Sequence, residues 1–129
     1  MVRMPSHRPS NSQLEHGPIF SWYRDHNGLI FTSGHASVEV DSLNITLGDL
    51  ASETTATLNN LKRTLERAGS QLDNVLKVTA YITDMNQFAV FNSVYAKFFP
   101  GPRVPARTCV EVSRLPFNFK VEIEAIAHI

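Results

Sequence analysis

Arg107 is the side chain whose type and context point most directly to chemistry. It follows a proline in Val104-Pro105-Ala106-Arg107-Thr108-Cys109, at the start of a β-prone run. A proline just before a strand fixes the angle at which the chain enters it. An arginine held there can present a two-pronged guanidinium to a carboxylate. A solvent-exposed arginine, or one paired with Glu122 or Glu124, fits the same spacing equally well. Glu122 and Glu124 alternate with apolar residues near the C-terminus. A carboxylate in that position can order water or carry a proton, or it can protect an edge strand by charge, which is the plainer reading. Cys109 reads first as a small buried hydrophobe. As a nucleophile it would need a base, for which His35 and His128 are the candidates.

Other chemistries lack their residues. The chain contains no G-x-x-x-x-G-K-[ST] loop, H-E-x-x-H pair, C-x-x-C pair or G-x-S-x-G elbow. His7, His16, His26, His35 and His128 do not show metal-site spacing, so no metal is expected. Twelve Lys plus Arg balance twelve Asp plus Glu, which argues against a bulk binder of nucleic acid. A single cysteine excludes an intrachain disulfide. The first fifteen residues are polar and Pro/Ser-rich, without an apolar signal-peptide core. No apolar run approaches the roughly 18 residues that span a membrane. A cytoplasmic protein with no membrane partner is therefore expected.

The elements that must position these groups follow from periodicity. With 129 residues the chain suits one domain. Residues 1–16 read as a flexible tail and 17–129 as the domain. Asn27-Gly28 lies between a run of apolar and aromatic residues, 19–23, and a β-prone one, 29–32, and so signals a hairpin turn. A helix is predicted over 46–68, with Leu47, Leu50, Thr54, Leu58, Leu61, Leu65 and Ala68 on its core face. Glu53, Asn60, Lys62, Arg63 and Arg67 lie mostly off that stripe. Thr46 can cap its first turn, a start a few residues later being equally open, and Gly69 is the expected left-handed terminator. A strand follows over 75–83, with Leu76, Val78, Ala80 and Ile82 on its apolar face. Asp84 then caps a second helix, in which Met85, Phe88, Asn92, Tyr95 and Phe99 share one side, and Pro100-Gly101-Pro102 stops it. Strands are predicted over 107–112 and 120–129, with Val121, Ile123, Ala125, Ala127 and Ile129 facing the core.

The order ββ-α-β-α-β-β gives an α+β fold, a mixed β-sheet with two helices packed on one face. The other face, expected to carry Arg107, Glu122 and Glu124, must meet water or another subunit. An active site at a subunit boundary follows naturally.

Pro105 through Val112, then Arg114-Leu115-Pro116, then Val121 through Ala127 closely resemble the C-terminal signature of the Rid family, the reactive intermediate deaminases or YjgF-like proteins. Phe31-Thr32-Ser33-Gly34, Leu72-Asp73-Asn74-Val75 and Phe91-Asn92-Ser93-Val94-Tyr95 with Phe98-Phe99 also fit, so the resemblance runs from about Gly17 to the end. It implies a chorismate-mutase-like fold and a homotrimer with clefts between subunits, needing neither metal nor organic cofactor. It implies an enamine/imine deaminase, a hydrolase converting small 2-imino carboxylates such as 2-iminobutanoate and 2-iminopropanoate to 2-oxo acids and ammonia. Carried over residue by residue, it makes Arg107 the carboxylate clamp and Glu122 the group that orders or activates water. Backbone donors near Cys109 would orient the substrate, with Ser33, Gly34, Asn92 and Phe20 around the cleft. A non-catalytic trimer that binds a small carboxylate is the alternative. The chain departs from the family where pocket shape is set. Gly17-Pro18 is followed by Ile19-Phe20-Ser21 where many members carry Tyr-Ser, and His35 stands where Ser-Gly-Gln is common. The loop between Phe99 and Pro105 is also short.

Overall fold

The computed structural model describes residues 19–129. The tail assigned to 1–16, together with Gly17-Pro18, lies outside them. The hairpin joins β1, Tyr23–His26, to β2, Leu29–Thr32. Asn27 and Gly28 both have positive φ, 51° and 81°, which matches the turn's twist to that of its strands. The strand starts only at Tyr23. Before it Trp22 turns inward and is buried, while Ile19 stays exposed.

The first helix, α1, spans Leu50–Arg67. It takes the later of the two starts the sequence left open, and Asp49 rather than Thr46 is its cap, accepting from Ser52 N at 2.8 Å. Gly48, a poor helix former, marks the boundary, and Leu47 outside it is exposed rather than on the core stripe. The far end matches expectation. Gly69 has φ 88° and Ser70 N donates back to Leu65 O at 2.8 Å, as in a left-handed helix terminator.

Strand β3, Val75–Ile82, is followed by a 3-10 turn over Met85–Gln87, helix α2 over Phe88–Phe98, strand β4 over Ala106–Glu111 and strand β5 over Val121–His128. The five-stranded sheet runs β1-β2-β5-β3-β4. Among the described strands only β3 and β4, joined through α2, are parallel. The core lies between one sheet face and the helices: Ile30, Val78, Ala80, Ile82, Val121, Ile123, Ala125 and Ala127 meet Leu58, Leu61 and Leu65 of α1 and Phe91 and Tyr95 of α2.

Four further sequence-based expectations change. A register shift between Val75 and Lys77 turns Val75 inward and leaves Leu76 48% exposed. An extra residue in a ladder reverses the faces on one side of it. Ile129 lies past the end of β5 and is exposed, not core. Glu53 and Asn60, assigned to the polar side of α1, are buried. They belong to a second stripe, Glu53, Thr57, Asn60 and Thr64, all buried, at the same helical spacing as the leucines. This stripe serves irregular backbone. Asn60 Nδ2 donates to Ala36 O at 3.0 Å and to Val38 O at 2.8 Å, and Glu53 accepts from Gly48 N and Lys120 N, each at 2.9 Å. Residues 33–49 form only isolated bridges, His35 with Ile123 and Val38 with Ile45, so side chains of α1 take up part of their backbone bonding.

The fourth change concerns Arg107. Val78 pairs with Arg107 and Ala80 with Cys109 in the parallel ladder. Directly paired residues share a face, so Arg107 and Cys109 are on the side of the core and helices. Glu122 and Glu124 pair with Tyr81 and Thr79, on the uncovered side. The expectation that all three charged residues share the open face is therefore wrong for Arg107. Strand alternation gives which residues go together, but only the register with the neighbour says which face they take.

Candidate active site

The residues singled out from sequence fall into two groups. The first surrounds Arg107 at the edge strand β4. Arg107 Nη1 donates to Asn92 Oδ1 at 2.8 Å. Its guanidinium carbon lies 4.8 Å from the Tyr95 ring centre, 5.6 Å from Phe88 and 5.7 Å from Phe91. Phe88, Phe91, Asn92 and Tyr95 sit at i, i+3, i+4 and i+7 of α2, so one helix face forms the whole cradle. Aromatic faces attract the cation and fix its plane. Among the described residues no carboxylate comes within ion-pair distance of Arg107; the salt bridges join Arg63 to Glu39, Arg67 to Asp41 and Lys120 to Glu53. The pairing with Glu122 or Glu124 is not formed. What results is an oriented guanidinium with no anion of its own.

Cys109 lies two residues on, half-buried, and burial raises its thiol pKa while Arg107 partly opposes that. Neither candidate base is hydrogen-bonded to it. His35 is bonded to Ser33 and Thr64, and His128 Nδ1 lies 2.9 Å from Ile129 O. A protonated thiol without a base has no nucleophilic role. Burial also pushes Tyr95 up to about 12, so its phenol stays neutral.

The second group gathers where β2 runs out. Ser33 N donates to Trp22 O at 2.9 Å and Ser33 Oγ to Ser21 O at 2.5 Å. Phe20 packs edge-on against Trp22, ring centres 5.3 Å apart, and Trp22 lies 4.9 Å from the His35 ring. Gly34 touches Glu122 so closely that a methyl on it would overlap the carboxylate. Glu122 is raised above the ordinary carboxylate range, first by burial and then by the charge of Glu124. A carboxylate shifted toward neutrality is suited to taking and returning a proton. Tyr81 hydroxyl donates to Glu124 Oε2 at 3.4 Å on the same face.

Gly34→Ala tests this packing. The obstacle is the mobile end of a side chain, and the Gly34 backbone does not require glycine. The fold should hold, with Tm shifted by only a few degrees, while a displaced Glu122 lowers turnover by about 10- to 100-fold. Unchanged turnover would mean that the Glu122 position is immaterial.

His35, offered by the sequence as a candidate base for Cys109, is instead buried, 1% exposed. Its pKa falls from 6.5 to about 4, chiefly through desolvation, with the Ser33 carbonyl opposing. The unfolded chain thus takes up a proton near pH 6.5 that the folded chain refuses until about pH 4. Stability is complete above that window and is lost as pH falls through it, by about 3 kcal/mol. Denaturant titrations at pH 7 and pH 4 should show the loss, and His35→Asn should remove that component.

Arg107, Asn92 and Cys109 are brought together, and so are Gly34 and Glu122; Ser33 is next to Gly34 in the chain, and Phe20 packs on Trp22 rather than on Glu122. The two groups are not brought to one face of the sheet. The aromatic cradle was not identified from sequence, although its helical spacing was legible. Among the described residues no three His, Cys, Asp or Glu side chains are grouped to hold a metal, and no helix is long and apolar enough to cross a membrane.

The sequence profile of the family described as Endoribonuclease L-PSP matches residues 14–129. A RutC family protein of Pyrococcus horikoshii is 46% identical over 100 residues, 78% of this chain and 79% of that one. The 2-iminobutanoate/2-iminopropanoate deaminase of Escherichia coli is 39% identical over 105 residues, 80% of this chain and 81% of that one. Among solved structures, the Rid family protein YyfA of Yersinia pestis superposes with a TM-score of 0.83 at 32% identity, covering 100% of this chain and 98% of that one. TdcF of Escherichia coli with bound serine gives 0.77 at 37% identity, covering 85% and 87%.

Proposed function

The chain belongs to the Rid (YjgF-like, RutC) family, and from that membership we propose that it is an enamine/imine deaminase acting on small 2-imino carboxylates. The observation that carries the reading is Arg107, a half-buried guanidinium fixed by Asn92 and three aromatic rings and lacking an anion among the described residues. A planar 2-imino acid supplies the missing carboxylate. The bidentate clamp sets the adjacent C=N carbon in place. The imine reacts in its protonated form: water adds to that carbon and passes a proton to Glu122, leaving an amino group that one further proton converts to the ammonium leaving group. The proton returns to nitrogen, the C–N bond breaks, ammonia leaves and the oxygen sheds its proton to become the ketone. No metal or organic cofactor is required for these steps.

One protomer holds Arg107 and Glu122 on opposite faces of its sheet. That separation supports a site completed between copies, and a homotrimer with three such clefts is the assembly we propose. The uncovered face supports this, because it exposes Phe31 and Val110 beside Glu122 and Glu124. A sheet face that no helix covers is commonly buried by association.

The assay generates 2-iminobutanoate or 2-iminopropanoate in situ and traps it with semicarbazide. The protein should speed 2-oxo acid formation against the trap. Arg107→Ala and Glu122→Gln, each nearly inactive, should together form mixed trimers in which about one quarter of clefts carry both groups. Recovery on mixing supports a shared cleft, and none would refute it. A small-carboxylate binder without turnover is the second reading, favoured by a relative's structure with bound serine. Binding of such a carboxylate with no acceleration of either imine would select it. A net charge of zero supplies no bulk attraction for a polyanion, so the ribonuclease named in the family description is not our proposal.

A further inference from the structure

The peptide joining Ser33 to Gly34 is held by a side chain just beyond it. His35 Nδ1 lies 2.8 Å from Ser33 O, and Nε2 lies 2.7 Å from Thr64 Oγ1. A carbonyl only accepts, so Nδ1 carries the hydrogen, and Nε2 then accepts from the threonine hydroxyl. The ring has little freedom. His35 exchanges both backbone bonds with Ile123, at 2.8 Å and 2.9 Å, and the Trp22 indole covers it at 4.9 Å.

That arrangement has a directional result. The described residues contain no cis peptide, and in a trans peptide the N–H points opposite to the C=O. With the Ser33 carbonyl drawn toward the buried imidazole, the Gly34 N–H is turned away from it. Among the described residues no backbone acceptor takes that N–H. Its residue is also the one packed against the Glu122 carboxylate.

We propose that His35, keyed by Thr64, is a positioning residue that sets the Ser33–Gly34 peptide plane so that the free Gly34 N–H stands beside the Glu122 carboxylate and orients the attacking water. The proposal rests on the deaminase reading. A water that accepts from Gly34 N–H and donates to Glu122 keeps a lone pair to aim at the imine carbon. The bond that forms is C2–O, and the proton released goes to Glu122. The Arg107 clamp is untouched, so the effect falls on the chemical step rather than on substrate binding.

Two substitutions separate positioning from mere filling of space. Asparagine places an amide donor near the Nδ1 position, and glutamine places one near Nε2. His35→Asn should keep most of kcat. His35→Gln, which gives up the Ser33 bond, should lower kcat by about tenfold while KM changes by less than about twofold, each normalised to folded protein. Nitrogen-15 spectra of wild type, with the His35 signal identified by its loss in His35→Asn, should show the neutral Nδ1–H tautomer. Equal kcat losses in the two variants, a change in KM instead, or an Nε2–H tautomer overturns the role of His35 while leaving the deaminase reading intact. Wild-type protein without imine turnover overturns that reading and this proposal with it.

Discussion

Arg107→Ala is expected to lower kcat/KM for a 2-imino acid by about 10²- to 10³-fold, the range for deleting one partner of a desolvated charge pair. KM should rise because the carboxylate loses its clamp, and kcat should fall because C2 is no longer held. Stability should change little. The guanidinium loses its stacking over Phe88, Phe91 and Tyr95, about 1 kcal/mol, and one bond to Asn92. Arg107→Lys is informative beside it. The charge remains, but a point charge cannot grip both carboxylate oxygens or lie flat on the rings. It should recover only part of the activity. Turnover within threefold of wild type in Arg107→Ala would remove the clamp from the mechanism.

The largest effect on stability is expected at Glu53, far from the clamp. Its side chain is 1% exposed, and it accepts from Gly48 N, from Lys120 N and from Lys120 Nζ at 3.3 Å. One carboxylate thus ties the loop before α1 to the chain just ahead of β5. Glu53→Ala strips partners from both backbone donors and should cost about 3 kcal/mol, or roughly 10 °C in Tm. Lys120→Met should cost under about 1 kcal/mol, since its side chain is 42% exposed and the backbone bond survives. The contrast between the two variants, read by thermal melts, assigns the stabilisation to the carboxylate–amide bonds. Equal losses would assign it to the ion pair.

Glu53 also shows where sequence reading stops. Period 3.6 in the leucines of α1 and period 2 in β5 carried the elements and the helix-covered face, because burying apolar surface imposes those spacings. The same period cannot say whether a polar stripe meets water or a stretch of irregular backbone, so Glu53 and Asn60 read as lying off the core face. Asn27-Gly28 and Gly69 were legible because few residues tolerate positive φ. The shift at Val75–Lys77 was not, since nothing local marks an extra residue in a ladder. For the site, the resemblance identified Arg107, Glu122 and their neighbours as residues. It did not reveal that a single sheet separates them. Face assignment depends on the β3–β4 register, which is a long-range property.

In the proposed cleft between copies, the division of Arg107 and Glu122 across the sheet would tie catalysis to mass action. A protomer diluted away from its partners would keep its fold, its arginine cradle and its glutamate, yet hold no complete cleft. Specific activity would then depend on protein concentration, falling below the assembly constant while the spectroscopic signature of the fold persisted. A ligand that bridges the cleft binds only associated subunits, so substrate itself would draw the assembly together. Rate against enzyme concentration would curve upward at low concentration and straighten once substrate is in excess.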